Sequence, residues 1–316
     1  NFIDIFTNAS SENGSNEQQE TEKEVTLTDT VTYEGLQIGE KYTVSGKLMN
    51  KETDKPLLNA DGNEIIAEET FTPEESNGTV DVEFIFDLTG IEAGTDIVVF
   101  ESLYHDGIEV AVHADIEDED QTIHIIDVQT EAESQNGTHT APTGSEVTII
   151  DHVSYTNLEV GKEYKVSGKL MNKETGEPLL DADGNEITAE TTFKPEESNG
   201  VVDLEYTLDS SLLAEKEIVV FEDLYKDEIL VASHADIEDE NQTIKFKNFE
   251  ILVNKVDSIT GNNIISKEFE FTMYSDEDLQ EEVVTKAGNT EDGTALFEVT
   301  EGICYIKETK APEGYK

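Results

Sequence analysis

The sequence contains one segment of about 120 residues twice. Residues 25–126 align with residues 147–247 at an offset of 122 that becomes 121 further along. Ser-Gly-Lys-Leu-Met-Asn-Lys-Glu-Thr occurs at 45–53 and 167–175, and Ile-Val-Val-Phe-Glu at 97–101 and 218–222. Residues 248–316 contain none of the shared blocks. A long internal repeat marks a copied folding unit, so we predict two related domains, 1–126 and 127–247, followed by a different third unit at 248–316.

The apolar residues within each repeat recur with a period of two. Val82, Phe84, Phe86 and Leu88 alternate with polar residues, which is typical of half-buried β-strands. Asp-Gly and Asn-Gly pairs separate these stretches and are strong hairpin signals. No segment keeps a helical period. The fold class predicted from the pattern is therefore all-β, a sandwich or a barrel.

Charge and composition exclude several classes of function. The chain has 73 acidic and 20 basic residues and a formal net charge of -53, which repels nucleic acid and anionic membrane surfaces. Its one cysteine, Cys304, cannot form an intramolecular disulfide, and with six scattered histidines it gives no zinc-binding spacing. The acidic loop that begins at Asp181 lacks the ligand spacing of a calcium loop, and we interpret it as a hairpin turn. We predict no metal and no cofactor.

Two acidic residues of each repeat occupy positions where the alternation requires apolar side chains. Asp29 falls in phase with Val25, Leu27 and Val31, and Glu101 with Ile97 and Val99. The second repeat places acidic residues at the equivalent positions, Asp151 and Glu222. Buried carboxyl groups are unfavourable unless they are paired, and two that meet share a proton. Each repeat therefore predicts a buried acid pair.

The end of each repeat carries a histidine, an aspartate and a glutamine in constant spacing. They are His113, Asp118 and Gln121 in the first copy, and His234, Asp239 and Gln242 in the second. This spacing is compatible with an acidic surface turn or with a proton-transfer site.

A threonine stands in the apolar phase near the start of each domain, at Thr7 and at Thr130. Thr138 and Thr140 are alternatives to Thr130 in the second domain. A threonine hydroxyl is a weak nucleophile and a glutamine amide a weak electrophile, so joining them requires a base and an acid. The histidine and the acid pair supply these functions, and the product would be a Thr–Gln ester.

The sequence blocks shared by the two repeats, together with the histidine, aspartate and glutamine at the end of each repeat, resemble the VaFE-repeat, or T-Q ester-bond, domains of Gram-positive surface adhesins. The resemblance covers both repeats nearly from end to end. It implies Ig-like β-sandwiches that each form one ester between a first-strand threonine and a last-strand glutamine. Carried over by position, it implies a Thr7–Gln121 ester assisted by His113, Asp118, Asp29 and Glu101, and a Thr130–Gln242 ester assisted by His234, Asp239, Asp151 and Glu222.

The third unit resembles the Cna B-type, or SpaA-like, prealbumin-fold domain of pilins and adhesins. The similarity lies in Ile251-Leu-Val-Asn-Lys255 and in Glu308-Thr-Lys-Ala-Pro near the end of the sequence. In that family a first-strand lysine bonds to a last-strand asparagine with help from a glutamate, which implies Lys255 and Glu308. No strand bearing the asparagine follows in this sequence, so we interpret the domain as truncated, assign no isopeptide bond to it and expect an open sheet edge.

These features together favour a rod of tandem β domains that cross-link themselves, each domain reacting once, rather than an enzyme. We expect a monomeric stalk segment of an extracellular, cell-wall-anchored bacterial adhesin or pilus-like protein. Its partners would be neighbouring domains of the same surface protein, with a host or cell-surface ligand bound through another region and no membrane contact in this segment. Two alternatives are a ligand-binding adhesin module, which the absence of tryptophan disfavours, and a hydrolase using His113 and Asp118.

Two further sets of residues have simpler structural interpretations. We expect the Cys304 side chain to be buried and to pack in the core rather than to act as a reactive thiol. Four histidines recur in neither repeat and are interpreted as surface residues: His105, His124, His139 and His152.

Overall fold

The computed structural model describes residues 2–20, 23–144, 146–299 and 303–315. Within these ranges the chain is built from 23 β-strands and one short 3-10 helix, Glu119–Gln121, so the predicted all-β class is confirmed. No helix in the described part of the chain is long and apolar enough to span a membrane.

The first domain is a sandwich of two sheets. One sheet has the order β1-β3-β7, and in the other β10, β8, β4 and β5 follow one another, with β9 beside β8, β6 beside β4 and β2 parallel to β10. The strands are β1 Asp4–Ser11, β2 Glu17–Gln19, β3 Glu24–Glu34, β4 Tyr42–Asn50, β5 Lys55–Pro56, β6 Ile66–Phe71, β7 Gly78–Asp87, β8 Asp96–His105, β9 Ile108–His113 and β10 Thr122–Ser134.

The second domain repeats this arrangement. Strands β10, β12 and β15 form one sheet, and β11, β18, β16, β13 and β14 form the facing sheet, with β17 beside β16. The strands are β11 Thr140–Pro142, β12 Val147–Thr156, β13 Tyr164–Asn172, β14 Thr188–Phe193, β15 Gly200–Leu208, β16 Glu217–Lys226, β17 Ile229–His234 and β18 Thr243–Lys247. The Asp181 loop is a hairpin turn, as expected: Asp181 Oδ1 accepts backbone hydrogen bonds from Asp183 and Asn185 at 2.9 and 2.8 Å.

The period-two pattern decides what each sandwich buries. In β3, Val25, Leu27 and Val31 point into the first core together with Asp29, and all four are at most 2% exposed. Strand β12 buries Asp151 among apolar residues in the same way. The acidic side chains therefore reach the core because they lie on the inward face of a strand whose other inward residues are apolar.

A single strand joins the two domains. Strand β10 pairs with β8 of the first domain through Thr122–His124 and with β12 of the second through Asp127–Ser134. The chain therefore passes from one sandwich to the next already extended, because the connecting residues belong to a strand.

Buried charged residues from both domains meet beside this strand. Glu17, on β2 of the first domain, is fully buried and accepts hydrogen bonds from Tyr164 and, at 3.4 Å, from Lys226 of the second domain. The ammonium of Lys226 also contacts Glu159 and bonds to Asn16 Oδ1 at 2.8 Å. Burial raises the pKa of Glu17, although the charge of Lys226 opposes this.

His124 lies in the same junction, which corrects its assignment as a surface residue. It is 8% exposed, and its Nδ1 bonds to Asp96 Oδ1 at 2.8 Å. Asn157 of the second domain donates to the same Asp96 oxygen at 2.8 Å. Burial alone would lower the His124 pKa, but the hydrogen bond and charge of Asp96 raise it above its ordinary value. His105 and His152 are partly exposed and His139 is exposed.

The third unit is a smaller pair of sheets around a compact core. Strands β19 and β22 form one sheet, and the other has the order β21-β20-β23. The bounds are β19 Phe249–Asn254, β20 Glu270–Tyr274, β21 Glu282–Ala287, β22 Thr294–Val299 and β23 Tyr305–Lys310. Met273 and Phe297 join the two sheets, and Cys304 packs against them only half-buried, so its predicted burial is partial. Among the described strands β23 pairs with β20 alone, as expected for an open edge.

Candidate functional site

The acid pair of the first domain lies between the two sheets. Asp29, on β3, is 0% exposed, and Glu101, on β8 of the facing sheet, is 1% exposed. Both Glu101 carboxyl oxygens and Asp29 Oδ2 are buried without another hydrogen-bond partner among the described residues, and the two groups interact closely enough to bond to each other. Two carboxyl groups can do so only when they share a proton. Burial, followed by the charge of Asp29, raises the pKa of Glu101 to about 11, so this proton is retained at neutral pH.

The second domain repeats the pair with Asp151 and Glu222, which are 0% and 2% exposed. Burial raises the pKa of Asp151 to about 6, although its hydrogen bond to Glu222 opposes the rise. Burial and the charge of Asp151 raise the pKa of Glu222 well above its ordinary value. In each sandwich burial and the neighbouring aspartate thus favour the protonated form of the glutamate.

The histidine of each repeat lies directly opposite the glutamate of the pair. His113 on β9 is paired in register with Glu101, and His234 on β17 with Glu222. In each case the imidazole Nε2 is 2.7 Å from the aspartate five residues later, Asp118 or Asp239. The aspartate therefore orients each ring at the strand position opposite the glutamate.

A tight turn fixes the aspartate and the glutamine. Asp118 Oδ1 accepts the backbone N–H of Asp120 at 2.9 Å, which leaves Oδ2 free for the histidine. The Thr122 hydroxyl donates to the Asp118 carbonyl at 2.7 Å, and Thr243 makes the same bond to Asp239. Sequence reasoning missed these two threonines as positioning residues, although the Gln-Thr dipeptide in both copies was a signal.

The glutamine amides point at the acid pairs. Gln121 Nε2 donates to Asp29 Oδ1 at 3.2 Å, and Gln242 Nε2 donates to Asp151 Oδ1 at 3.3 Å. The amide oxygens of both glutamines are buried without a hydrogen-bond partner among the described residues. An unsatisfied buried oxygen beside a protonated carboxyl group can take a hydrogen bond from it after a small rotation.

The threonine hydroxyls complete the two clusters. Thr130 Oγ1 donates to Glu222 Oε2 at 3.3 Å and accepts a hydrogen bond from the Gln242 amide. In the first domain the Thr7 hydroxyl is buried near Glu101 but makes no hydrogen bond to a described residue, so its contact with Gln121 is not formed. Thr138 lies in an exposed turn, where its hydroxyl bonds to the Thr140 carbonyl at 2.8 Å. Thr130 is therefore the threonine that the fold places against Gln242.

The predicted pair of the third unit is also in contact. Lys255 Nζ lies 2.6 Å from Glu308 Oε2, and the two side chains are 15% and 27% exposed. The other carboxylate oxygen of Glu308 is buried without a hydrogen-bond partner in the described part of the chain. The lysine is thus held against the glutamate.

Family comparison agrees with this geometry. The family described as "T-Q ester bond containing domain" matches residues 3–125 and again 126–246. A prealbumin-like fold domain family, SpaA, matches residues 249–316. The chain therefore belongs to the T-Q ester bond domain family, with two such domains followed by a prealbumin-like domain, as its sequence blocks indicated.

Comparison with solved structures gives distant similarities. A bacterial adhesin from Mobiluncus mulieris containing intramolecular disulfide, isopeptide and ester bond cross-links is 12% identical, with 95% of this chain and 94% of that chain covered and a TM-score of 0.36. The major pilin subunit of Bacillus cereus is 15% identical, with 98% and 89% covered and a TM-score of 0.29. No curated protein matches the sequence.

Proposed function

We propose that each of the first two domains forms one intramolecular ester, Thr7–Gln121 and Thr130–Gln242. The observation that carries the proposal is the contact of Thr130 with both Gln242 and Glu222 inside a closed core. Nucleophile, electrophile and acid pair are thereby brought together by strands that lie far apart in sequence. The effective concentration of the two reactants is correspondingly high.

The reaction joins the threonine oxygen to the glutamine carbonyl carbon and breaks that carbon's bond to nitrogen. The hydroxyl proton leaves with the amide nitrogen as ammonia, so atoms and charge balance without another reactant. The protonated carboxyl pair stabilises the charge that develops on the amide oxygen. Before the reaction, the Thr130 hydroxyl donates to Glu222. His234, which lies opposite Glu222 in register, accepts the hydroxyl proton and passes it to the departing amide nitrogen.

Burial of the acid pair favours self-reaction over hydrolysis of an external substrate. Asp29 and Gln121 are both 0% exposed, as are Asp151 and Gln242. An outside molecule would have to open the sandwich in order to reach them. The same exclusion of water protects the ester once it has formed.

We further propose that this chain is a load-bearing stalk segment of an extracellular bacterial adhesin or pilus-like protein, anchored to the cell wall. If tension enters at β1 and leaves at β18, it crosses each domain through the ester. The only main-chain stretch between the two cross-linked domains, residues 122–129, lies in β10 and is already extended. Its partners would be the neighbouring domains of the same protein, with ligand recognition located in another region.

The intact mass of the purified protein tests the chemistry. We expect a mass lower than the sequence mass by two ammonia molecules, one for each domain. Thr7→Ala should restore one ammonia, and Thr7→Ala combined with Thr130→Ala should restore both. An unshifted wild-type mass would contradict ester formation in either domain.

A further inference from the structure

One buried position next to the acid pair differs between the two domains. Strand β7 carries Phe84 and strand β15 carries Tyr206 at the equivalent place, and both side chains are 1% exposed. The second domain therefore buries a hydroxyl group where the first buries only a ring. The Tyr206 hydroxyl has no hydrogen-bond partner among the described residues, which is unfavourable unless another state of the site satisfies it.

A glycine lets this hydroxyl approach the acid pair. Gly168 on β13 is paired in register with Glu222 on β16. A Cβ atom on Gly168 would overlap the Tyr206 hydroxyl oxygen. Side chains of directly opposed antiparallel residues start about 5 Å apart on the same face of a sheet, so the hydroxyl lies beside the Glu222 side chain. Burial, and then the charges of Asp151 and Glu222, raise the pKa of Tyr206, which keeps it protonated and able to donate.

We propose that Tyr206 is a positioning residue of the second site, which donates a hydrogen bond to the Asp151–Glu222 carboxyl pair and stabilises its singly protonated form. The proposal rests on the ester-forming function given above and adds a residue to it. In the first domain Phe84 cannot donate, and the Asp29–Glu101 pair is without this hydrogen bond. The two domains should therefore react with different pH dependences.

Other charged and polar groups also act on the second pair by contact or by charge, and most have equivalents in the first domain. They are His234 on β17 with its partner Asp239, Thr130 on β10, Gln242 before β18, His152 on β12 with its partner Asp203 on β15, and Asp223 on β16. Two of these residues have no equivalent in the first domain: Thr30, opposite Asp81, stands in place of His152, and Ser102 stands in place of Asp223. A comparison of the wild-type domains alone would mix these differences with the one between Tyr206 and Phe84, so exchange at position 206 or 84 is required.

The direction of the expected pKa shift depends on which protonation form of the carboxyl pair accepts the stronger hydrogen bond from Tyr206. A donor stabilises a carboxylate more than a carboxylic acid and thus lowers the pKa at which the pair loses its first proton. The singly protonated pair then persists to lower pH. One added hydrogen bond corresponds to a shift of about half to one pH unit.

The test follows ester formation during refolding of the full chain. Chains that retain both side-chain amides, identified by mass, are isolated in guanidinium chloride and diluted into buffers from about pH 5 to about pH 8, where the essential groups titrate. Peptide mapping then gives the cross-linked fraction of each domain over time. We expect Tyr206→Phe to move the acid limb of the second domain's rate profile upward by about half to one pH unit, with the first domain unchanged. Phe84→Tyr should move the first domain's limb downward.

A second measurement tests the role of Tyr206 independently of ester formation. In the Thr130→Ala background, which cannot cross-link the second domain, the carboxyl carbons of Asp151 and Glu222 can be titrated by NMR with and without Tyr206→Phe. We expect the first proton of the pair to be lost at lower pH when the tyrosine is present. Identical titrations would overturn the role of Tyr206 even if both esters form, and a shifted titration would support it even if no ester forms.

Discussion

The hydroxyl of Thr130 accepts a hydrogen bond from the side-chain amide of Gln242, although 112 positions separate the two residues (242 minus 130). Thr130 lies on the strand that enters the second domain, and Gln242 precedes the last strand of that domain. A covalent bond between them would enclose almost the whole sandwich in one loop.

The reactive threonine of the second domain can be identified by substitution. Thr130→Ala should abolish cross-linking of that domain, because it removes the only one of the three candidate threonines whose hydroxyl contacts Gln242 and Glu222. Thr138→Ala is the matched control and should leave the ester intact, since Thr138 is exposed in a turn. Mass spectrometry of the peptide containing Gln242 distinguishes the outcomes. An ester that still forms in the Thr130→Ala protein would show that Thr130 is not the nucleophile.

The acid pair should be required for chemistry but not for folding. Asp29→Asn and Glu101→Gln keep the shapes of the side chains and remove the shared proton. We expect either change to prevent ester formation in the first domain while the second domain still reacts, because separated sites act independently. Circular dichroism checks folding, and intact mass counts the ammonia lost. A folded Asp29→Asn protein that still loses both ammonia molecules would remove the pair from the mechanism.

The buried pair should make the unreacted domain less stable as pH rises. The pKa of Glu101 is raised from 4.5 to about 11, so between these values the folded state binds more protons than the unfolded state. Stability is therefore full below the unfolded pKa and falls as pH rises toward the folded pKa, by at most about 1.4 kcal/mol per pH unit.

The Thr7→Ala protein, which cannot form the first ester, shows this effect without interference from the cross-link. Its free energy of unfolding should decrease from about pH 5 to about pH 9 more steeply than that of Thr7→Ala with Glu101→Gln. Urea unfolding at several pH values provides the comparison, and the double variant corrects for the repulsion among the many surface carboxylates. Parallel curves would show that Glu101 does not retain its proton.

Cross-linking should prevent extension under load. The first loop spans 114 positions (121 minus 7) and the second 112. Closing loops of this length stabilises a domain by about 4–5 kcal/mol, by analogy with disulfides. Pulled from its ends, the wild-type protein should show no extension from residues 7–121 or 130–242. The His113→Ala, His234→Ala double variant should extend by up to about 3.5 Å per residue of both loops. Equal extension of the two proteins would falsify the stalk proposal.

The junction between the two domains should be stiffened by Lys226. Lys226→Met removes an ammonium that contacts Glu17 across the interface and Glu159 within its own domain, and it leaves the buried Glu17 carboxylate and the partly buried Glu159 carboxylate without their cation. Loss of one partner of a buried pair is destabilising by about 3–5 kcal/mol. We expect a broader distribution of interdomain distances, measured between spin labels in a background without Cys304. Lys165→Met, whose Nζ lies 4.0 Å from Glu190 at an exposed site, is the control and should leave the distribution unchanged.

Much of the organisation follows from the sequence alone. The internal repeat defines two like units, and the period of two assigns each side chain to one face of a strand. That alternation is sufficient to place Asp29 and Glu101 inside the sandwich, because the face of a strand residue depends only on its neighbours in sequence. The five-residue and eight-residue spacings from His113 likewise define a local turn.

Contacts between distant strands were decided by the tertiary structure. Alternation shows that Thr130 points inward, but only the packing of two sheets shows that its hydroxyl meets Gln242 and that Thr138 remains outside. His124 is buried because a second domain covers the face that alternation would assign to solvent. The approach of Tyr206 to Glu222 depends on a glycine in another strand. In each case the deciding contact joins residues on different strands or domains, and the pattern within one strand carries no information about the surface that packs against it.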